Sequence, residues 1–161
     1  MIEQSSDKST RGNASQFFVA GELCRRGWVA VVTLGNTPNT DILCSNTAGT
    51  KFVHVQVKTF VPGNRTVSVG MKAENNCGPN FVWILAGIPL PESKDDFEFY
   101  VIPSSEMAQY VSYAHRKWLS DKQSRKDSKV RTVHLPPWKS YVDWDISQYR
   151  GNWSLIEELL A

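Results

Sequence analysis

The segment Phe81-Val82-Trp83-Ile84-Leu85-Ala86-Gly87, followed by Ile88 and closed by Pro89, limits the possible folds of this chain more sharply than any other stretch. A strand with one wet face alternates apolar and polar residues. This run does not alternate, as expected of a strand covered on both faces. Such a strand needs a layer of structure on each side of its sheet. The run is far below the ~20 apolar residues that a bilayer crossing requires, so no membrane span is expected. A chain of 161 residues fits one domain comfortably.

The remaining pattern supplies the other elements. Residues 1–11 are expected to form a flexible polar tail, and 12–161 a single domain. Asn13 has the chemistry of a helix N-cap, with Gln16 three residues on as its capping-box partner. Ala14, Phe17, Phe18, Gly21 and Cys24 follow at helical spacing as an apolar stripe, and Arg25-Arg26-Gly27 ends the helix. Strands are expected over 28–34, 41–44, 51–60, 65–71 and 97–102, besides the apolar run, with a loop over 72–80. A second helix starts at Ser104, expected as its cap, with Met107, Tyr110, Val111, Ala114 and Trp118 as its core stripe. Residues 120–129 are expected to be mobile, and a last helix covers 153–160. The expected class is α/β, a mixed sheet flanked by helices.

Three cysteines without a C-x-x-C pair argue against a disulfide framework or a structural zinc site. With no signal-peptide pattern at the start, the expected setting is the cytoplasm. The net charge of +2 excludes little, but its distribution says more. Arg116, Lys117, Lys122, Arg125 and Lys126 crowd a short stretch whose only acid is Asp121. Such a stretch suits phosphates, which makes these five candidate nucleic-acid contacts; a solvated helix end running into a loop is the competing reading. Trp118 beside them is a candidate stacking platform.

The strand over 51–60 carries the candidate chemistry. Its period of two puts Val53, Val55 and Val57 on one face and His54, Gln56 and Lys58 on the other. Burying an amide and an ammonium is costly unless they meet partners or a wet site. Asp41 opens the preceding strand, and a hairpin returns it towards Gln56 and Lys58. Glu22 lies on the first helix at the edge of the expected stripe. His54 is a second-rank candidate from its place on the same face. Lys58 pairing Asp41 on a half-exposed strand, with His54 purely structural, is the alternative without catalysis.

The arrangement resembles the PD-(D/E)xK nuclease superfamily, which includes restriction endonucleases and Holliday-junction resolvases. The residues that carry the resemblance are Glu22 in G-E-L-C-R-R-G-W, Asp41 in P-N-T-D-I-L, and Gln56 and Lys58 in H-V-Q-V-K-T. Support also comes from Y-V-I-P-S-S-E at 100–106. The resemblance implies a restriction-endonuclease-like mixed sheet, with Asp41 as the metal-binding aspartate and Gln56 in the second acidic position. It makes Lys58 the catalytic lysine and Glu22 the helix-borne acid, so that Asp41, Gln56 and Glu22 would surround Mg²⁺ or Mn²⁺.

Two functions follow from the resemblance. One is a Mg²⁺-dependent endonuclease that hydrolyses DNA phosphodiester bonds. The other is a catalytically inactive nuclease-like module that binds nucleic acid or a protein partner, motivated by glutamine where the family has an acid. A homodimer or a larger DNA-processing complex would let so small a domain span a duplex.

Overall fold

A computed structural model describes residues 8–35, 37–140 and 142–161. The elements run α1 (Lys8–Arg25), β1 (Val29–Val32), β2 (Ile42–Ser45), β3 (Phe52–Phe60), β4 (Thr66–Ser68), β5 (Phe81–Gly87), β6 (Glu98–Pro103), α2 (Ser104–Asp121), β7 (Thr132–His134) and α3 (Ser154–Leu160). Short 3-10 turns cover Met71–Glu74 and Ile146–Tyr149. Five strands form one mixed sheet in the order β1-β2-β3-β5-β6. Only the β3–β5 pair is parallel; its neighbours are antiparallel. The crossover between β3 and β5 contains β4, which pairs with β7 in a separate two-stranded ribbon.

The apolar run is β5, buried at all seven positions and flanked on both sides by strands. One face of the sheet packs Val53, Val55 and Val57 against Val19 and Leu23 of α1 and Ile156 and Leu160 of α3. The other packs Phe60, Trp83 and Leu85 against Met107 and Val111 of α2 and Val67 and Val133 of the ribbon. Each face of β5 therefore has its own core, as an uninterrupted apolar strand requires. Gly87 leaves room for the Phe60 ring: a Cβ there would lie 2.7 Å from two ring carbons. No helix among the described residues is long and apolar enough to cross a membrane.

Several boundaries differ from the sequence expectation. The first helix already runs from Lys8, so residues 8–11 of the expected tail are helical and Asn13 lies inside the helix; residues 1–7 lie outside the described part. The buried stripe of α1 is Ser15, Val19, Ala20 and Leu23, whereas Phe17 is 67% exposed. The aromatic pair set the expected phase, but Phe18 packs on Phe97 at the surface, 4.8 Å between rings. Ser15 can face inward because its hydroxyl meets Thr59 Oγ1 at 2.5 Å and donates to the Gly12 carbonyl at 2.7 Å. Ser104 is the first residue of α2 rather than its cap; its hydroxyl accepts from the Cys77 N–H at 2.8 Å and so ties the preceding loop to the helix. The expected strand over 65–71 contracts to three residues, and its partner β7 has no counterpart in the sequence expectation.

Candidate active site

The site forms where β2 parts from β3. The pairing of Ile42 with Val55 places Asp41 opposite Gln56, so the two side chains leave the same face of the sheet. The Asp41 N–H donates to the Val55 carbonyl at 2.9 Å. Further along β3, the edge that β2 covered is taken over by a side chain. Asp41 Oδ2 accepts from the Val57 N–H at 2.7 Å and from Gln56 Nε2. An edge donor that would otherwise lack a strand partner is thus capped by the carboxylate. Both bonds fall on Oδ2, and Oδ1 accepts no hydrogen bond among the described residues.

Asp41, Gln56 and Lys58 line one cleft of about 640 Å³. The N-terminal part of α1 contributes Arg11, Gly12 and Gln16 to its lining, and β4 contributes Thr66, Val67 and Ser68. An adjoining cleft of about 430 Å³ shares Gln16 and Asp41, so the aspartate stands at the junction of the two. Gln56 is buried, and Lys58 is half-buried. Burial pushes the Asp41 carboxyl above its ordinary range; the Val57 N–H and the positive charges of Lys58 and Lys72 work against that rise. Lys72, in the Met71–Glu74 turn, is thus a second cation within electrostatic reach of the aspartate.

Asp41, Gln56 and Lys58 come together as the strand period and the hairpin require. Glu22 does not line the cleft. It receives hydrogen bonds from Arg25 Nε and Nη2 and from Arg26 Nε, all at 2.9 Å, and these hold its carboxyl below the usual range. The reason is both axial and angular. Glu22 lies six residues beyond Gln16, about 9 Å further along the helix and turned about 120° around it, while the cleft meets α1 at its N-terminal end. Gln16, with Arg11, is therefore an α1 side chain that shares the cleft with Asp41, although its sequence signal is only that of a capping partner. His54 is not in the cleft either: its Nδ1 lies 3.1 Å from Thr40 Oγ1 and its ring stacks on Phe81.

The basic stretch divides. Arg116, Lys117, Lys122 and Lys126 are exposed. Arg125 is committed inward: it donates to the Trp118 carbonyl at 2.7 Å, pairs with Asp121 at 3.1 Å and lies 4.8 Å over the Trp118 ring. His115 stacks on the same indole at 5.6 Å. Trp118 therefore spends its ring on intramolecular partners instead of presenting an open stacking platform.

Among the described residues no group of three or more His, Cys, Asp or Glu could hold a metal ion. What the cleft offers is one desolvated carboxylate with a free oxygen, a neighbouring amide and a lysine. That set disfavours zinc or copper, which want imidazole or thiolate, and is compatible only with a hard, oxygen-seeking ion that retains most of its water.

A mixed five-stranded sheet flanked by helices thus carries this cleft at its β2–β3 junction. The chain is similar in structure to a bacterial homing endonuclease, I-Ssp6803I, with a TM-score of 0.55 and 19% sequence identity over 94% of this chain and 93% of that one. No protein-family model and no curated protein matches the sequence.

Proposed function

We propose that this protein is an endonuclease that hydrolyses DNA phosphodiester bonds with the help of Mg²⁺ or Mn²⁺, at the cleft around Asp41. The observation that carries the reading is that Asp41, Gln56 and Lys58 line one cleft of a nuclease-like fold, in the order of the PD-(D/E)xK pattern. The structural neighbour is itself an endonuclease.

The residues fit a hard divalent ion of low site charge. Asp41 would hold it through Oδ1, and Gln56 would have to turn its amide so that Oε1, not Nε2, faces the ion. Bound there, the ion supplies a charge sink for phosphate oxygens and an acidified water. Lys58 brings a fixed ammonium to the same cleft, where it orients water and stabilises negative charge developing on the phosphate. Gln16 adds a neutral hydrogen-bonding group to the cleft beside Arg11. Asp41 must be ionised to act, and burial raises its carboxyl, so protons compete with metal and activity rises as pH climbs through the Asp41 titration. The exposed Arg116, Lys117, Lys122 and Lys126 offer phosphate contacts whose strength falls with salt. One chain carries one such centre, so cutting both strands of a duplex takes two copies or two binding events.

Incubation of plasmid DNA with Mg²⁺ or Mn²⁺ should give nicked or linear product, and Asp41→Ala and Lys58→Ala should each abolish it. Cleavage that survives both substitutions refutes the assignment. A second reading, a module that binds DNA without cutting it, is favoured by the single carboxylate and by the Gln56 Nε2 donating to it. An absence of saturable Mn²⁺ binding by calorimetry would decide for that reading.

A further inference from the structure

We infer that the outward face of the β4–β7 ribbon reads base edges of a DNA duplex lying across the candidate cleft. The inference rests on the DNA reading above and adds to it a recognition element. The ribbon pairs Thr66 with His134, Val67 with Val133 and Ser68 with Thr132. Side chains alternate along a strand. Val67 and Val133 are accordingly sunk in the core beneath α2, at 3% and 1% exposure, and anchor the ribbon rigidly to the sheet. The other face is then Thr66, Ser68, Thr132 and His134, every one a hydrogen-bonding side chain, with Ser68 and Thr132 exposed and Thr66 and His134 half-buried.

Position ties this face to the chemistry. All three β4 residues, Thr66, Val67 and Ser68, line the cleft of Asp41 and Lys58, while Thr66, Thr132 and His134 line the next cavity, of about 360 Å³, opposite His115 and Trp118 of α2. The ribbon is the wall between the two, so a duplex whose phosphate reached Lys58 would lie against it. A two-stranded antiparallel ribbon fits a major groove about 12 Å wide, and hydroxyls can accept from or donate to any base there.

Charge is arranged to match. Residues 64–72 and 128–139 contain no Asp or Glu. Arg65, Lys72 and Lys129 are exposed at the ends of the two strands and make no ion pair among the described residues. Arg65 is held with its guanidinium 4.2 Å over the Trp138 ring, which fixes its direction. Arg131, by contrast, is buried against Glu74 at 2.7 Å and serves the fold. Neutral readers in the middle with exposed cations at the rim is the division expected between base contacts, which specify, and phosphate contacts, which position. Burial lowers the His134 titration, so the ring is neutral at pH 7 and offers one donor and one acceptor.

The test is selection of bound duplexes from a random-sequence DNA pool in EDTA, which prevents cleavage. The wild type should enrich a preferred sequence. Ser68→Ala/Thr132→Val, confirmed folded by its melting curve, should lose about tenfold affinity or more for that sequence while binding scrambled duplex as before. Arg65→Ala should weaken both duplexes alike and reduce the slope of log affinity against log salt by about 1. Wild type that binds without preference, or a preference that the double variant keeps, overturns the inference and leaves the endonuclease reading standing. Wild type that binds no duplex at all also overturns the inference, and the endonuclease reading is then decided by plasmid cleavage with Mg²⁺ or Mn²⁺ alone.

Discussion

Replacing Gln56 by glutamate is the sharpest probe of the site, because it restores the acid at the cost of the bond that Gln56 makes now. Gln56 Nε2 donates to Asp41 Oδ2 from a position only 8% exposed. The substitution would put a second carboxylate against the first. Losing a hydrogen bond to a charged acceptor costs about 1.5–3 kcal/mol. Two full charges about 4 Å apart repel by roughly 4 kcal/mol at an effective dielectric of 20. Lys58 and Lys72 already favour negative charge here, so about half of that repulsion should survive. The pair escapes it by keeping one proton, which also rebuilds the hydrogen bond. Its titration in the folded state is thus raised above the ordinary carboxylate range, so the folded protein binds more protons than the unfolded chain and stability falls as pH rises. Melting curves should show Gln56→Glu close to the wild type at pH 5. The deficit should widen by about 4–8 °C at pH 8, taking ~2 kcal/mol at 2–4 °C per kcal/mol. Adding Mn²⁺ at about 100 times its dissociation constant should return roughly 2.7 kcal/mol. An equal deficit at both pH values would mean that positions 41 and 56 do not meet.

Three further outcomes follow from the same geometry. Asp41→Asn abolishes cleavage yet removes a charge that burial disfavours, so its melting temperature relative to wild type should be higher at pH 8 than at pH 4; a constant difference would contradict the raised titration of Asp41. Gly87→Ala drives a methyl into the Phe60 ring at 2.7 Å and should cost about 1–3 kcal/mol in denaturant unfolding; because Phe60 also lines the cleft, activity should fall with it. Arg131→Met leaves Glu74 without the partner that it holds at 2.7 Å, and should destabilise by about 3 kcal/mol at pH 7. No change in the pH 7 midpoint would show that this ion pair is dispensable.

Local sequence rules were enough for the sheet and for the strand part of the site. An apolar run cannot be a half-wet strand, so β5 had to lie between two cores. A period of two puts Gln56 and Lys58 on one face whatever surrounds them. A hairpin that pairs Ile42 with Val55 then brings Asp41 opposite Gln56. Each of these rules has only one geometric solution. Other features have several solutions locally, and long-range packing chose among them. Gln16 and Glu22 border opposite sides of the buried stripe of α1, about 120° apart around the helix, so which of them meets the cleft depends on both the position and the rotation of α1 on the sheet, which its packing of Val19 and Leu23 sets. Arg125 has the same composition-level signature as its exposed basic neighbours, and only folding turns it onto Trp118 and Asp121. The ribbon was the least legible, since strands of three residues carry no period of their own and β4 finds β7 across 63 intervening residues. Its registration comes from Val67 and Val133 entering a core that α2 completes, a contact that no local pattern encodes.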